Sequence, residues 1–148
     1  MHVRQADLTR GVDPGFTKTL TRQSVKERHD AGSILFRRGE PAEFAFLLLM
    51  GSVRLTLGEA GHVLHEIRRP GTTFGWSSLV GRETYSATAE CLEPTTVLKL
   101  AGRDLEGIAE QDPKNALIYY RRLAELLGDR LIESYERYEK LFRGETRL

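Results

Sequence analysis

The 148-residue chain contains a single cysteine, Cys91, and this scarcity limits its chemistry. One thiol cannot form a disulfide within the chain, nor supply the several thiolates of a structural zinc site. We predict that Cys91 lies buried in a strand as a small apolar residue. The histidines do not indicate a metal site either, because His62 and His65 are three residues apart in a predicted strand and are expected to point to opposite faces. No metal site is predicted.

Long apolar runs and an excess of one charge are also missing. The longest apolar run, residues 44–50, is far too short to span a bilayer, and the N-terminus has no apolar run of the signal-peptide kind. Lysine and arginine number 22 against 21 acidic residues, which gives a net charge of +1. Such a balance produces no overall field that would favour nucleic acid or a membrane surface. We expect a cytoplasmic protein.

Patterns of catalysis are absent from the sequence as well. No nucleophile-and-base arrangement can be identified, and no G-x-x-x-x-G-K-[ST] phosphate loop is present. With 40% apolar and 29% charged residues, the chain has the composition of one ordinary globular domain. We therefore predict a protein that is not an enzyme.

The hydrophobic pattern changes twice along the chain. Residues 1–30 are predicted as a helical lead-in, with a short helix starting at Asp13-Pro14 and carrying Phe16 and Leu20. Residues 31–100 hold short apolar or alternating runs separated by turn residues, which is typical of an antiparallel sandwich or barrel. The predicted strands cover residues 33–36, 44–49, 52–57, 62–67, 84–91 and 96–100.

Residues 101–148 have a helical period. A short helix is predicted over 103–110, ended near Asp112-Pro113, and one long helix runs from there to about residue 142. Its apolar stripe consists of Leu117, Tyr120, Ala124, Leu127, Leu131, Tyr135, Tyr138 and Phe142. The early part, with Leu123 and Leu126, is predicted to pack on the barrel of its own chain.

The later part of the stripe has another expected partner. A domain of this size cannot cover a helix that continues to Phe142, so this part is predicted to meet its copy across a two-fold axis as a homodimer. The predicted dimer residues are Leu127, Leu131, Tyr135, Tyr138 and Phe142. A monomer with the helix folded wholly on its own barrel is the alternative.

The segment 70–91 reads PGTTFGWSSLVGRETYSATAEC and is the most informative of the chain. Gly75 and the small side chains after it would let backbone N–H groups gather around an anion. Residues 74–88 resemble the phosphate-binding cassette of the cyclic-nucleotide-binding domain, found in CRP/FNR regulators, kinase regulatory subunits and gated channels. That family shows F-G-E-x-A-L, a variable run and R-x-A-T, which Phe74-Gly75, Leu79 and Ala87-Thr88 match.

Two further motifs extend the resemblance over roughly residues 30–142. Residues 35–40 are similar to the family's L-F-x-x-G-[DE], and residues 48–53 to its L-x-x-G-x-V. The resemblance implies a mainly β fold with flanking helices: a jelly-roll β-barrel that contains the cassette, then a short helix and a long dimerisation helix. CRP/FNR regulators continue into a DNA-reading helix-turn-helix. None follows here before Leu148, so we expect a sensor domain only, without DNA binding.

Two cassette positions depart from the family. Trp76 stands where the glutamate that accepts from the ribose hydroxyl would be, and Tyr85 where the phosphate-binding arginine would be. An indole has no acceptor for a hydroxyl, and a phenol cannot neutralise a phosphate as a bidentate guanidinium does. Losing a buried charge partner costs about 2–5 kcal/mol of binding free energy. Tight binding of cAMP or cGMP is therefore not expected.

The remaining cassette groups favour a different ligand. Their hydroxyls and the two aromatic faces suit a small planar ligand, either a cyclic nucleotide bound weakly or another nucleotide or aromatic metabolite. By the resemblance, the long helix lends the pocket a polar group near Arg130. Arg130 either restores a positive charge there or is a solvated surface charge that pairs at most with Glu133. The predicted ligand-binding residues are Phe74, Gly75, Trp76, Ser77, Ser78, Leu79, Tyr85, Ser86, Ala87, Thr88 and Arg130.

Three functions stay open at this point. The first is a regulatory sensor module that binds a small ligand other than classical cAMP. The second is an assembly module whose pocket is closed by the rings of Trp76 and Tyr85 and binds nothing. The third is the sensor half of a CRP/FNR transcription regulator without its helix-turn-helix. A pocket that is open around Trp76 favours the first function, and a filled pocket favours the second.

Overall fold

In the computed structural model, which describes residues 6–58 and 61–144, two four-stranded antiparallel sheets enclose an apolar core. The strand orders are β1-β8-β3-β6 and β2-β7-β4-β5. The elements are α1 (Pro14–Gln23), β1 (Val25–His29), β2 (Ile34–Phe36), β3 (Phe44–Met50), β4 (Val53–Leu57), β5 (His62–Ile67), β6 (Thr73–Phe74), a 3₁₀ turn (Trp76–Leu79), β7 (Thr88–Cys91), β8 (Thr95–Ala101), α2 (Gly102–Gln111) and α3 (Pro113–Phe142). The predicted jelly-roll fold with flanking helices and a long C-terminal helix is confirmed.

Strands β3 and β8 bury both of their faces, and this defines two layers. Leu48 and Val97 point into the core between the sheets, where they are fully buried. Ala45 and Leu100 point the other way, into a second core formed with the three helices. Successive side chains alternate between the faces of a strand, so one continuous apolar run serves both cores. Cys91 is buried in β7, as predicted.

Two strands, β1 and β6, were not predicted from the sequence. β1 lies within the segment 1–30 that is predicted as helical, and it pairs along its length with β8, Val25 opposite Lys99. Its residues are mostly polar and partly exposed because β1 is an edge strand, so no alternation marks it in the sequence. β6 has two residues, too few for a pattern. The division of the chain at residues 30 and 100 otherwise stays a prediction.

The first half of α3 packs on the body of the protein through a face that differs from the predicted stripe. Ala116, Tyr119 and Leu123 are buried there, whereas Leu117 is 60% exposed. The prediction for Leu123 is confirmed and that for Leu117 is wrong. Both α1 and α3 begin at an Asp-Pro pair, and the buried Asn115 side chain joins the two ends by donating to the carboxylates of Asp13 and Asp112. These polar contacts fix where α3 starts.

The second half of α3 is exposed, although part of it borders the second sheet across a cavity. Every residue from 131 to 142 is exposed, and the large apolar side chains among them are Leu131, Ile132, Tyr135, Tyr138, Leu141 and Phe142. None of the helices in residues 6–58 and 61–144 combines the length and apolar character needed to cross a membrane.

Candidate ligand pocket

A cavity of about 410 Å³ lies between the second sheet, the cassette and α3. Leu55 and Leu64 form its apolar floor, and Trp76 borders it from the 3₁₀ turn. Its remaining lining residues are His65, Ser86, Ala87, Leu127, Arg130, Leu131, Glu133, Ser134 and Arg137. The volume is in the range of small-molecule binding sites in proteins.

Gly75 positions Trp76 at the cavity. Its backbone has φ of +75°, in the left-handed region, and an added Cβ would lie 3.2 Å from the Phe44 carbonyl oxygen and 3.3 Å from Phe46 Cδ1. Only glycine combines this conformation with such a close approach. The Ser78 hydroxyl then donates to the Gly75 carbonyl at 3.0 Å and closes the turn. The half-buried indole of Trp76 is thereby held at the edge of the cavity.

Tyr85, the second aromatic departure, lies elsewhere. Its ring stacks on Phe36 with centroids 3.9 Å apart and belongs to the core between the sheets. The hydroxyl donates to the Phe44 carbonyl at 2.6 Å and accepts the Phe44 amide at 3.1 Å. Burial raises the pKa of this phenol, which stays neutral. Tyr85 therefore fills the core and does not line the cavity.

Arg130 lines the cavity from the side of α3. The residue is half-buried, and burial lowers the pKa of its guanidinium. Among the residues that the structure describes, Arg130 forms no salt bridge, with Glu133 or with any other carboxylate. The alternative of a solvated charge that pairs at most with Glu133 stays open, since the Glu133 carboxylate acts electrostatically on this guanidinium. In either case a positive group borders the cavity.

His65 is a cavity residue that the sequence analysis considered only as a metal ligand. It is half-buried, and its pKa is lowered by burial and then by the charge of Arg130. Both His65 and its neighbour Leu64 line the cavity, because a register irregularity in the β4–β5 pair lies between the partners of Leu55 and Thr56. Such a bulge interrupts strict alternation. A simple period of two therefore could not place these side chains.

The cavity accounts for only some of the predicted ligand residues. Trp76, Ser86, Ala87 and Arg130 line it. The others in the cassette serve the fold: Phe74 is in the core, Ser77, Ser78 and Leu79 are buried in the 3₁₀ turn, and Thr88 accepts the Arg38 amide at 3.0 Å. Whether any of them contacts a ligand stays a prediction.

Comparison with known proteins agrees with this architecture. The model of the family described as "Cyclic nucleotide-binding domain" matches residues 26–112, more than half of the chain. The chain belongs to this family. The match begins in β1 and ends just before α3, so it contains the cassette and the two sheets.

Solved and curated relatives give the same assignment. The catabolite activator protein of Thermus thermophilus is 25% identical, with a TM-score of 0.77 over 92% of this chain and 63% of its own. A cyclic nucleotide-binding domain from Methylobacillus flagellatus has a TM-score of 0.79 at 20% identity, covering 91% of this chain and 81% of that one. Glutaminase 1 of Bradyrhizobium diazoefficiens is 32% identical over 104 residues, 70% of this chain and 16% of its own.

The similarity to CRP-type proteins confirms the predicted family and its type. The chain spans only 16% to 26% of the length of the curated relatives that it matches. The activities of those longer proteins are therefore not assigned to this chain. The prediction that this chain is not an enzyme stays a prediction.

Proposed function

We propose that the chain is a regulatory sensor module that binds a small planar anion other than classical cAMP in the cavity between the sheets and α3. The observation that carries this proposal is an open cavity lined by Trp76 and by a half-buried Arg130, which forms no salt bridge with any residue that the structure describes. A partly desolvated cation is unfavourable unless an anion compensates it. The carboxylates of Glu133 and Asp7 act on Arg130 only from beyond salt-bridge distance, and a bound ligand with a phosphate, carboxylate or sulfonate group would supply a direct partner.

The placement of charge in the cavity argues against tight cAMP binding. The groups that the cassette contributes, Trp76, Ser86 and Ala87, are uncharged, and Tyr85 is occupied in the core. The fully charged lining residues come from α3: Arg130, Arg137 and Glu133, with a net positive charge. A ligand that suits this arrangement stacks its planar part near Trp76 and directs its anionic group towards the helix.

The open cavity also favours the sensor over the closed assembly module. Closure would require both aromatic rings in the pocket, but only Trp76 borders it and about 410 Å³ stays open. Assembly and sensing are nevertheless linked. Leu127 and Leu131 belong to the cavity and to the predicted dimer stripe of α3. Ligand binding is therefore expected to bias the position of α3 and, through it, the contact between two copies.

Replacing Arg130 by glutamine tests the ligand site. Thermal unfolding of the wild type is first measured against cyclic mononucleotides, cyclic dinucleotides, linear nucleotides and aromatic carboxylates. For each compound that stabilises the protein, Arg130→Gln is expected to weaken binding by at least about thirtyfold, the effect of losing a charge partner worth about 2 kcal/mol or more. Isothermal titration calorimetry measures the dissociation constants.

Arg121→Gln provides the matched control, because Arg121 is exposed on the same helix and does not line the cavity. It should leave the affinity unchanged. If no compound stabilises the protein, the sensor proposal fails and the assembly module gains support. Tight binding of cAMP would instead show that our interpretation of Trp76 and Tyr85 is wrong.

The proposed homodimer rests on the exposed half of α3. Tyr135 and Tyr138 are 60% and 63% exposed, and the ring centroids of Tyr138 and Phe142 are 4.7 Å apart. The double variant Tyr135→Glu, Tyr138→Glu is expected to weaken dimerisation at least about a hundredfold, since buried interface aromatics contribute about 2 kcal/mol or more each. Sedimentation equilibrium measures the effect, and neither residue lines the cavity.

Lys140→Glu serves as the control for this experiment, because it changes a charge on the opposite face of the same helical turns. It should sediment as the wild type does. A wild-type protein that sediments as a monomer at every concentration would contradict the proposed dimer and favour the monomeric alternative.

A further inference from the structure

We infer that the anionic group of the ligand lies between Arg130 and His65, so that ligand binding is coupled to proton uptake by His65. This inference rests on the proposed function and adds to it the orientation of the ligand and a dependence on pH. It makes His65, a residue outside the cassette, a determinant of ligand specificity.

The geometry of the cavity supports this orientation. Arg130 enters from α3 and His65 from β5, and both line the same cavity while the cassette side offers no charge. Beside this shared cavity, the charge of Arg130 lowers the pKa of His65, so the two cations disfavour each other when no anion is present. An anionic group between them would be attracted to both. The planar part of the same ligand would then lie near the Trp76 indole.

Among the described residues, four charged groups act on the pKa of His65. Arg130, Glu133 and Arg137 face it from α3, and Glu66 is its neighbour on β5. Glu66 is itself held by hydrogen bonds from Arg68 and Arg54, at 2.6 and 3.1 Å, which lower the pKa of its carboxyl. Burial and the two arginines disfavour protonation of His65, and the carboxylates favour it. The pKa of His65 is lowered without ligand, so burial and the two arginines outweigh the carboxylates.

The sign of the pH dependence follows from linkage. Without ligand, His65 is neutral around neutral pH because its pKa is lowered. An anion offsets Arg130 and stabilises the imidazolium, so the pKa of His65 rises and binding takes up a proton. Affinity therefore increases as pH falls through the raised pKa and levels off below the lowered one. The ligand-free fold has the opposite dependence: its His65 contribution to stability is complete above the unfolded pKa and decreases as pH falls below it.

An NMR titration of the His65 imidazole, recorded from about pH 5 to pH 8.5 where histidine titrates, tests the inference directly. The probes are naphthalene-2-sulfonate and cyclic AMP, planar anions whose single charge is constant over this range, with adenosine as the uncharged control. At saturating probe, an anion is expected to raise the pKa of His65, while adenosine leaves it unchanged. If an anion binds, as seen from the Trp76 indole resonance, and the His65 pKa does not move, the inference is overturned and the proposed function stands. If neither anion shifts any resonance of the cavity, the inference fails, and the proposed function fails with it when no compound of the thermal unfolding panel stabilises the protein.

Variants of the two histidines of β5 give a second test by calorimetry. For the wild type, the affinity for the anion should be about tenfold higher at about pH 5 than at about pH 8.5. This is the effect expected when the bound anion raises the proton affinity of His65 about tenfold. His65→Gln is expected to abolish this ratio. His62→Gln, on the same strand but exposed and outside the cavity, should retain it. Loss of the ratio in His62→Gln, or its retention in His65→Gln, would overturn the inference.

Discussion

Replacing Tyr85 by arginine, the residue that the family pattern has at this position, is expected to destabilise the fold by about 3 kcal/mol or more, the usual cost of an uncompensated buried charge. It should add no affinity for cAMP. The Tyr85 side chain is 5% exposed, its ring stacks on Phe36, and its hydroxyl is engaged by the Phe44 backbone. A guanidinium in this place would be buried in the apolar core, whereas the nearby carboxylates, Glu40 and Glu43, belong to exposed residues. Urea denaturation measures the stability, and calorimetry with cAMP measures the affinity.

Tyr85→Phe is the control that separates the ring from the hydroxyl. It retains the stacking on Phe36 but leaves the Phe44 carbonyl without its 2.6 Å donor. The expected loss is about 1–2 kcal/mol, the cost of an unsatisfied buried acceptor. A Tyr85→Arg variant that is as stable as the wild type and binds cAMP tightly would show that this side chain can reach the cavity. A single substitution would then restore the arginine with which the family binds phosphate.

Gly51→Ala is expected to have the second largest effect, a loss of about 3 kcal/mol from backbone strain and steric overlap together. Gly51 has φ of +102°, and an added Cβ would lie 2.5 Å from Thr95 Oγ1 and 2.6 Å from the Pro94 carbonyl oxygen. These neighbours cannot move freely, because the Thr95 hydroxyl donates to the Glu93 carbonyl at 2.8 Å and accepts the Ser52 amide at 3.3 Å. Thermal and urea unfolding measure the loss.

Gly39→Ala isolates the strain from the overlap. Gly39 has φ of +90°, but no atom of the described residues lies within 4 Å of an added Cβ. Its substitution should cost about 1 kcal/mol, the strain of a non-glycine residue in the left-handed region. Equal losses for Gly39→Ala and Gly51→Ala would mean that the β4 entry relaxes around the new methyl group, contrary to the expected rigidity of this turn.

Much of the fold and part of the site could be predicted from local pattern. The glycine motifs, the alternating runs and the helical period predicted six of the strands and the three helices, because each pattern reflects burial along one element. β1 was not predicted because an edge strand with polar residues has no such pattern. The offset between Leu117 and the buried Ala116 shows a further limit. An apolar stripe gives the period of a helix but does not tell which of two apolar faces is covered by the body.

The sequence by itself determined the family, the jelly-roll fold and the two departures at Trp76 and Tyr85, since these depend on the residue types at given positions. Only the tertiary structure decided what the departures do. Tyr85 completes the core and Trp76 borders an open cavity, although both stand in the same cassette. It also brought His65 and Arg130 to that cavity from elements distant in the chain. The physical reason is that a pocket forms where separate elements pack, and no periodicity within one element encodes that meeting.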